Sequence, residues 1–286
     1  MPQPPAGPFA PAGYHRFYET PPSEESDGAR TWYARGQTLA VAYSETSPGA
    51  VLERAAQETE YCVLLPDERS GALVEAAGES LAVAGFSLTF VPPGPSVVRM
   101  HDGGRVVRLF ALSDDLASRS PGEWQDNPLI APPALWPDPP GAPRIRSYSL
   151  HTPAGEGCFG RIYRGSAIMV NYIEPSQGPR DPTKLSPHHH EDFEQCSLAL
   201  EGDFVHHVRW PWTPNRHHWR EDEHVVCGSP SAAIIPPPSI HTTEATGAGR
   251  NVLIDVFCPP RLDFSLRPGW VLNAADYPLP ETSGVE

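Results

Sequence analysis

The chain has 286 residues, 39% of them hydrophobic, enough to bury the core of one large β domain or two small ones. Lys and Arg number 21 against 35 Asp and Glu, a formal charge of −14, with no basic run to attract a nucleic-acid backbone. The 36 Pro and 24 Gly disfavour long helices and favour short strands between turns.

In chain order, residues 1–28 read as a flexible arm. Their opening, MPQPPAGPFAPAG, has neither a basic start nor an apolar stretch, so no signal peptide is read there. No apolar run anywhere is long enough for a membrane helix. Residues 29–115 contain apolar or alternating runs bounded by Gly, Pro, Asp and Ser: YARGQTLAVAYSE (33–45), EYCVLLPD (60–67), SLTFVPPGPSVV (87–98) and GRVVRLF (104–110). A turn or short helix is predicted over 114–119. A Pro-rich connector spans 116–150; its Trp124, Leu129, Ile130, Leu135 and Trp136 are expected to pack along the domains. Residues 151–265 then repeat the earlier runs in the same order, as IYRGSAIMVNYIE (162–174), EQCSLALE (194–201), SAAIIPPPSIH (231–241) and GRNVLID (249–255). Residues 266–286 read as a tail. Strands at such spacing predict an all-β sandwich or barrel architecture rather than βαβ units. Cys62, Cys158, Cys196, Cys227 and Cys258 are scattered and read as reduced thiols, which with the missing leader points to the cytoplasm.

The second copy carries SPHHHEDFEQCSLALEGDF. His188 and His190, two apart, share one side of a strand, whereas His189 faces away. Four residues separate His190 from Gln195, six more lead to Gly202, and His241 follows a Pro-rich turn. This pattern resembles the two motifs of the cupin superfamily: H-x-H, three or four residues, Glu, six residues, Gly; then P-x-G-x-x-H. The resemblance covers roughly 30–115 and 157–262. It implies two cupin-type (jelly-roll) β-barrels in tandem, joined by the connector. It also implies one divalent transition metal per chain, held by His188, His190, Gln195 and His241. The chain departs from the family at Gln195, where Glu is usual, at Pro238 for Gly and at Ala245 for Asn. Glu194 could serve only after a one-residue slip that turns it to the opposite face. Fe(II) is the favoured metal, with Zn, Mn and Ni as others that suit the set.

In the first copy the matching positions are Arg54, Ala56, Tyr61 and Val97, so residues 29–115 are expected to form a metal-free cupin. Arg164, Tyr172 and Glu174 recur there as Arg35, Tyr43 and Glu45, which assigns them structural roles. Between the two motifs, residues 204–230 crowd together His206, His207, Arg209, Trp210, Trp212, His217, His218 and His224. Some of these are expected at the barrel mouth; His207 and Arg209 are the catalytic candidates.

Three readings of function remain open at this point. One is a non-haem Fe(II) dioxygenase acting on a small oxygenated molecule, favoured slightly. Another is a lyase or isomerase whose metal acts as a Lewis acid on a carbonyl or sugar-acid substrate, which the neutral Gln195 suits. The third is a non-catalytic small-molecule binder. The partner expected is a small-molecule substrate, with neither nucleic acid nor membrane, and edge strands offer a route to a homodimer.

Overall fold

The computed structural model describes residues 9–120, 122 and 126–280, so Trp124 lies outside it. The described chain is almost entirely β, with α-helix confined to Asp114–Arg119 and Leu262–Ser265. No helix among the described residues is long and apolar enough to cross a membrane. The chain divides into two compact units, one of residues 1–21, 122–132 and 172–257, the other of residues 22–121, 133–171 and 258–286.

In the first unit, one sheet carries strands Gly13–Arg16, Ser231–Ile235, Gln195–Glu201 and Arg250–Phe257, adjacent in that order. A second sheet holds Glu223–Cys227, Phe204–Arg209 and Ile240–Ala245, with the middle strand paired antiparallel to both neighbours. Gln195–Glu201 and Ser231–Ile235 are nearly continuous apolar runs and are buried along their length, as strands covered on both faces must be. Phe204–Arg209 alternates instead: Phe204, His206 and Val208 are buried, while Val205, His207 and Arg209 face outward. Ala199, Phe204 and Ala245 form a core cluster with Leu253 packed against it. Gly202 turns the chain between the sheets at φ +90°, and a Cβ there would run into the Asn251 side chain. That side chain donates to the carbonyls of Gly178 and Gly247, both at 3.0 Å.

The second unit has a sheet in the order Arg146–Ser149, Ser87–Val91, Tyr61–Leu65, Gly104–Ala111, Leu39–Thr46, Ala29–Arg35 and Glu24–Ser26. Its smaller sheet runs Val51–Arg54, Ser96–Met100, Ala72–Ala76, Glu79–Val83. The core includes Ala42, Tyr61, Val63, Val98, Val106 and Phe110. Since Val98 and Met100 point into it, the inward residue beside the Pro-rich turn is Ser96, not the Val97 that the repeat alignment matches to His241. Gly165, matched to Gly36, has no room for a side chain: a Cβ would lie 2.6 Å from Glu60 Oε2 and 2.8 Å from Phe90.

The segments read as arm, connector and tail contain ordered contacts. Gly13–Arg16 pairs with Ser231–Ile234, and Phe9 packs with Val208, Trp210 and Leu129. Ile130 and Trp136 are buried, whereas Leu135 is exposed. In the tail, Val271 bridges Ile162 and Tyr277 is buried against Glu60. The five Cys are free, and all but Cys158 are buried.

Candidate metal centre

His188 and His241 are joined by a pair of backbone hydrogen bonds, His188 N to His241 O at 3.0 Å and the reverse at 2.7 Å. The bridge lies where the Pro236–Ser239 turn, closed by Ser239 N to Pro236 O, delivers the chain into Ile240–Ala245. It sets the two imidazoles 4.5 Å apart, with His190 at 5.1 and 5.2 Å from them. The donor nitrogens of His188, His190 and His241 all lie within 4.8 Å of one another. Around a common ion at about 2.1 Å they would stand roughly 3–4 Å apart, so a small contraction suffices. Among the described residues no other group of three His, Cys, Asp or Glu meets this criterion.

Hydrogen bonds fix which nitrogen faces the centre. His188 Nδ1 lies 3.0 Å from Ser186 O, and His241 Nδ1 lies 3.1 Å from Ser239 O. A carbonyl accepts only, so each Nδ1 carries the proton and each Nε2 presents a lone pair inward. Burial, and then His188 and His190, holds the His241 imidazole down to about 3, so it is neutral at physiological pH. Phe193 stacks on His190 at 4.4 Å, with Phe257 edge-on at 6.0 Å.

Gln195 faces the same point. Its Nε2 donates to Asp255 Oδ1 at 2.9 Å and to Ser197 Oγ at 3.0 Å. Because the carboxylate can only accept, the amide is held with Oε1 toward the imidazoles, 3.0 Å from His190 Nε2 and 3.4 Å from His241 Nε2. The His241 contact is therefore lone pair against lone pair in the bare site. A cation between them turns that repulsion into two coordination bonds, so the donor set fits a metal ion. Ser197 Oγ also donates to Asp255, at 2.8 Å. Neither Ser197 nor Asp255 was singled out in the sequence; Asp255, three residues beyond the repeated Val252, gives its role only once the pairing of Ser197 with Asp255 is known.

The structure does not bring His207 and Arg209 to this cluster. Both lie on the outward face of their strand: His207 meets His224 at 2.7 Å and Glu244 at 3.1 Å, and Arg209 pairs with Asp222. His189 is exposed beside Glu191. The inward residue of that strand is His206, which is 1% exposed. Its Nδ1 is 3.0 Å from Thr243 Oγ1, while its Nε2 is buried with no hydrogen-bond partner. Burial, then His207, pushes its imidazole down to about 4, leaving it neutral. Val208 stands directly across from His241, and His206 is the next inward residue along. The alternation of Phe204 and Val208 against Arg209 was the available signal for this choice.

No family model matches the chain, and no curated protein does. Solved structures do. A Bacillus subtilis oxalate decarboxylase, studied for its Mn(II) centres, superposes with a TM-score of 0.59 at 14% identity, covering 89% of this chain and 81% of that one. A Lactobacillus farciminis oxalate decarboxylase in complex with formate gives 0.60 at 14% identity, covering 87% and 86%. The chain thus shares the all-β, cupin-type fold of these proteins.

Proposed function

We propose that this protein is a divalent-metal-dependent cupin enzyme of the lyase or isomerase kind, acting on a small carbonyl- or carboxylate-bearing molecule. The observation that carries the reading is the donor set: three imidazole nitrogens and an amide oxygen, all neutral, with the Asp255 carboxylate engaged by Gln195 and Ser197. When bound there, Mn(II), Fe(II) or a similar ion would keep its full double charge and polarise a substrate oxygen strongly. The chain itself supplies the rest. His188, the exposed member of the cluster, marks the open side by which a substrate reaches the centre. Neutral His206, with a free Nε2 inside the barrel, binds a polar substrate group or moves a proton. The oxalate decarboxylases of like fold lend support to carbon–carbon cleavage over the Fe(II) dioxygenase reading.

The proposal includes a tandem arrangement, with each sequence copy a barrel and only the second holding metal. Its support is the repeat itself and the lack of a second ligand cluster among the described residues.

The test is metal analysis of untagged protein, followed by turnover of small oxo- and hydroxy-carboxylates under strict anaerobiosis. One ion per chain, lost in His241→Ala, together with oxygen-independent turnover is expected. Turnover that consumes dioxygen stoichiometrically overturns the lyase reading. Protein that takes up no ion in its native state overturns the metal reading.

A further inference from the structure

The second unit buries a positive charge that no described residue pairs with. Arg108 lies in Gly104–Ala111 directly across from Ala42 on one side and Val63 on the other. Both neighbours, and Val106 and Phe110 on its own strand, belong to the core, and residues opposite each other in a ladder share a face. Arg108 therefore points into the barrel. It is 6% exposed, its Nε is buried without a hydrogen-bond partner, and it makes no hydrogen bond or ion pair to any described residue. Its guanidinium carbon lies 5.9 Å from the centre of the Phe110 ring.

Two further guanidinium groups border the same region, and both are matched by carboxylates. Arg54 also lies near the Phe110 ring, at 5.3 Å, and pairs with Asp115 and Gln57. Arg119 donates to Glu24 at 2.8 Å, and Glu24 also accepts from the Tyr33 hydroxyl at 2.9 Å. Arg108 is close enough to both Tyr33 and Tyr61 to act on their phenols electrostatically. Tyr61 stacks on Phe110 at 4.8 Å and shares a hydrogen bond of 2.8 Å with Ser96. Three cations against two anions leave one positive charge over. A buried unpaired guanidinium is costly, and a bound anion would remove that cost.

We propose that the barrel of the second unit binds one small carboxylate, which Arg108 grips with its planar fork beside Phe110 and Tyr61. A fork of two parallel N–H donors matches the two oxygens of a carboxylate bidentately. The site shares no residue with the His cluster.

The experiment is calorimetric titration and thermal melting of the full-length protein with acetate, with sulfate as control. His188→Ala serves to separate any carboxylate held at the His cluster. Acetate is expected to raise the melting temperature of wild type and of His188→Ala alike, with sulfate weaker. Arg108→Met should weaken acetate binding by about tenfold or more. Without ligand it should melt at or above wild type, since the unpaired charge is gone. Arg108→Lys, which keeps the charge but loses the fork, should fall between and covers the case in which Arg108→Met misfolds. Acetate that stabilises Arg108→Met as it does wild type, that loses its effect in His188→Ala, or that does nothing to wild type overturns the proposal. Sulfate acting as strongly as acetate overturns the carboxylate assignment.

Discussion

Glu60 makes the stability of this protein depend on pH in a direction opposite to that of an ordinary carboxylate. Its side chain is buried, accepting from Tyr277 Oη at 2.8 Å and from Ser166 N at 3.1 Å. Burial outweighs both donors, and the attraction of Arg146, and pushes the carboxyl up from 4.5 to about 7. A group whose folded value is raised contributes its stability in full below the unfolded value and loses it as pH rises through the folded one. Raising the carboxyl from 4.5 to about 7, at 1.36 kcal/mol per tenfold change in ionisation, makes the cost of ionising Glu60 about 3 kcal/mol, spread between roughly pH 4.5 and 7. Glu60→Gln keeps an acceptor for Ser166 N and can donate to Tyr277, so it retains the geometry without the ionisation. Urea unfolding of both proteins at half-unit steps from pH 5 to 8 isolates the contribution. The difference between wild type and Glu60→Gln should move by about 2–3 kcal/mol over that range, in favour of the variant at high pH. A difference that stays flat, or that moves toward wild type as pH rises, refutes the reasoning.

Other consequences can be checked as directly. Asp255→Ala removes the acceptor that orients Gln195, so metal affinity should fall by about 10–100-fold in a competitive chelator titration while the fold persists. His206→Gln should lower kcat by about 10²-fold or more with metal content unchanged, whereas His207→Ala should leave kcat within a few-fold of wild type. Gly165→Ala forces a methyl against Glu60 and Phe90; a loss of about 1–3 kcal/mol is expected by urea unfolding.

The strand pattern, the order of the repeated runs and the convergence of an H-x-H pair with a distant His were all legible in the sequence, because each rests on period-two alternation or on a turn. Asp255 was not legible. Its part depends on lying across from Ser197, and sequence separation of 58 residues conceals that pairing. Which of His206 and His207 faces inward was hidden for a different reason. Two adjacent polar residues of one type leave the parity of a strand open, and the loop residues beyond Arg209 suggested a mouth that its ion pair with Asp222 does not serve. The Pro-rich connector and the tail gave apolar residues without partners. Only packing shows that Trp136 and Tyr277 are buried, the latter with its hydroxyl spent on Glu60.

Gly13–Arg16 has a consequence for handling the protein. It occupies the edge of Ser231–Ile235 with four paired residues, and Arg16 ties it down by donating to Val226 O at 2.8 Å. Trimming the chain to begin after it would strip a row of backbone amides and carbonyls from an apolar strand, a surface that templates sticking between copies. A shortened form made for crystallisation would therefore be the one to aggregate. The first described residues act as a seal on the sheet, and any cleavable tag belongs ahead of them rather than in their place.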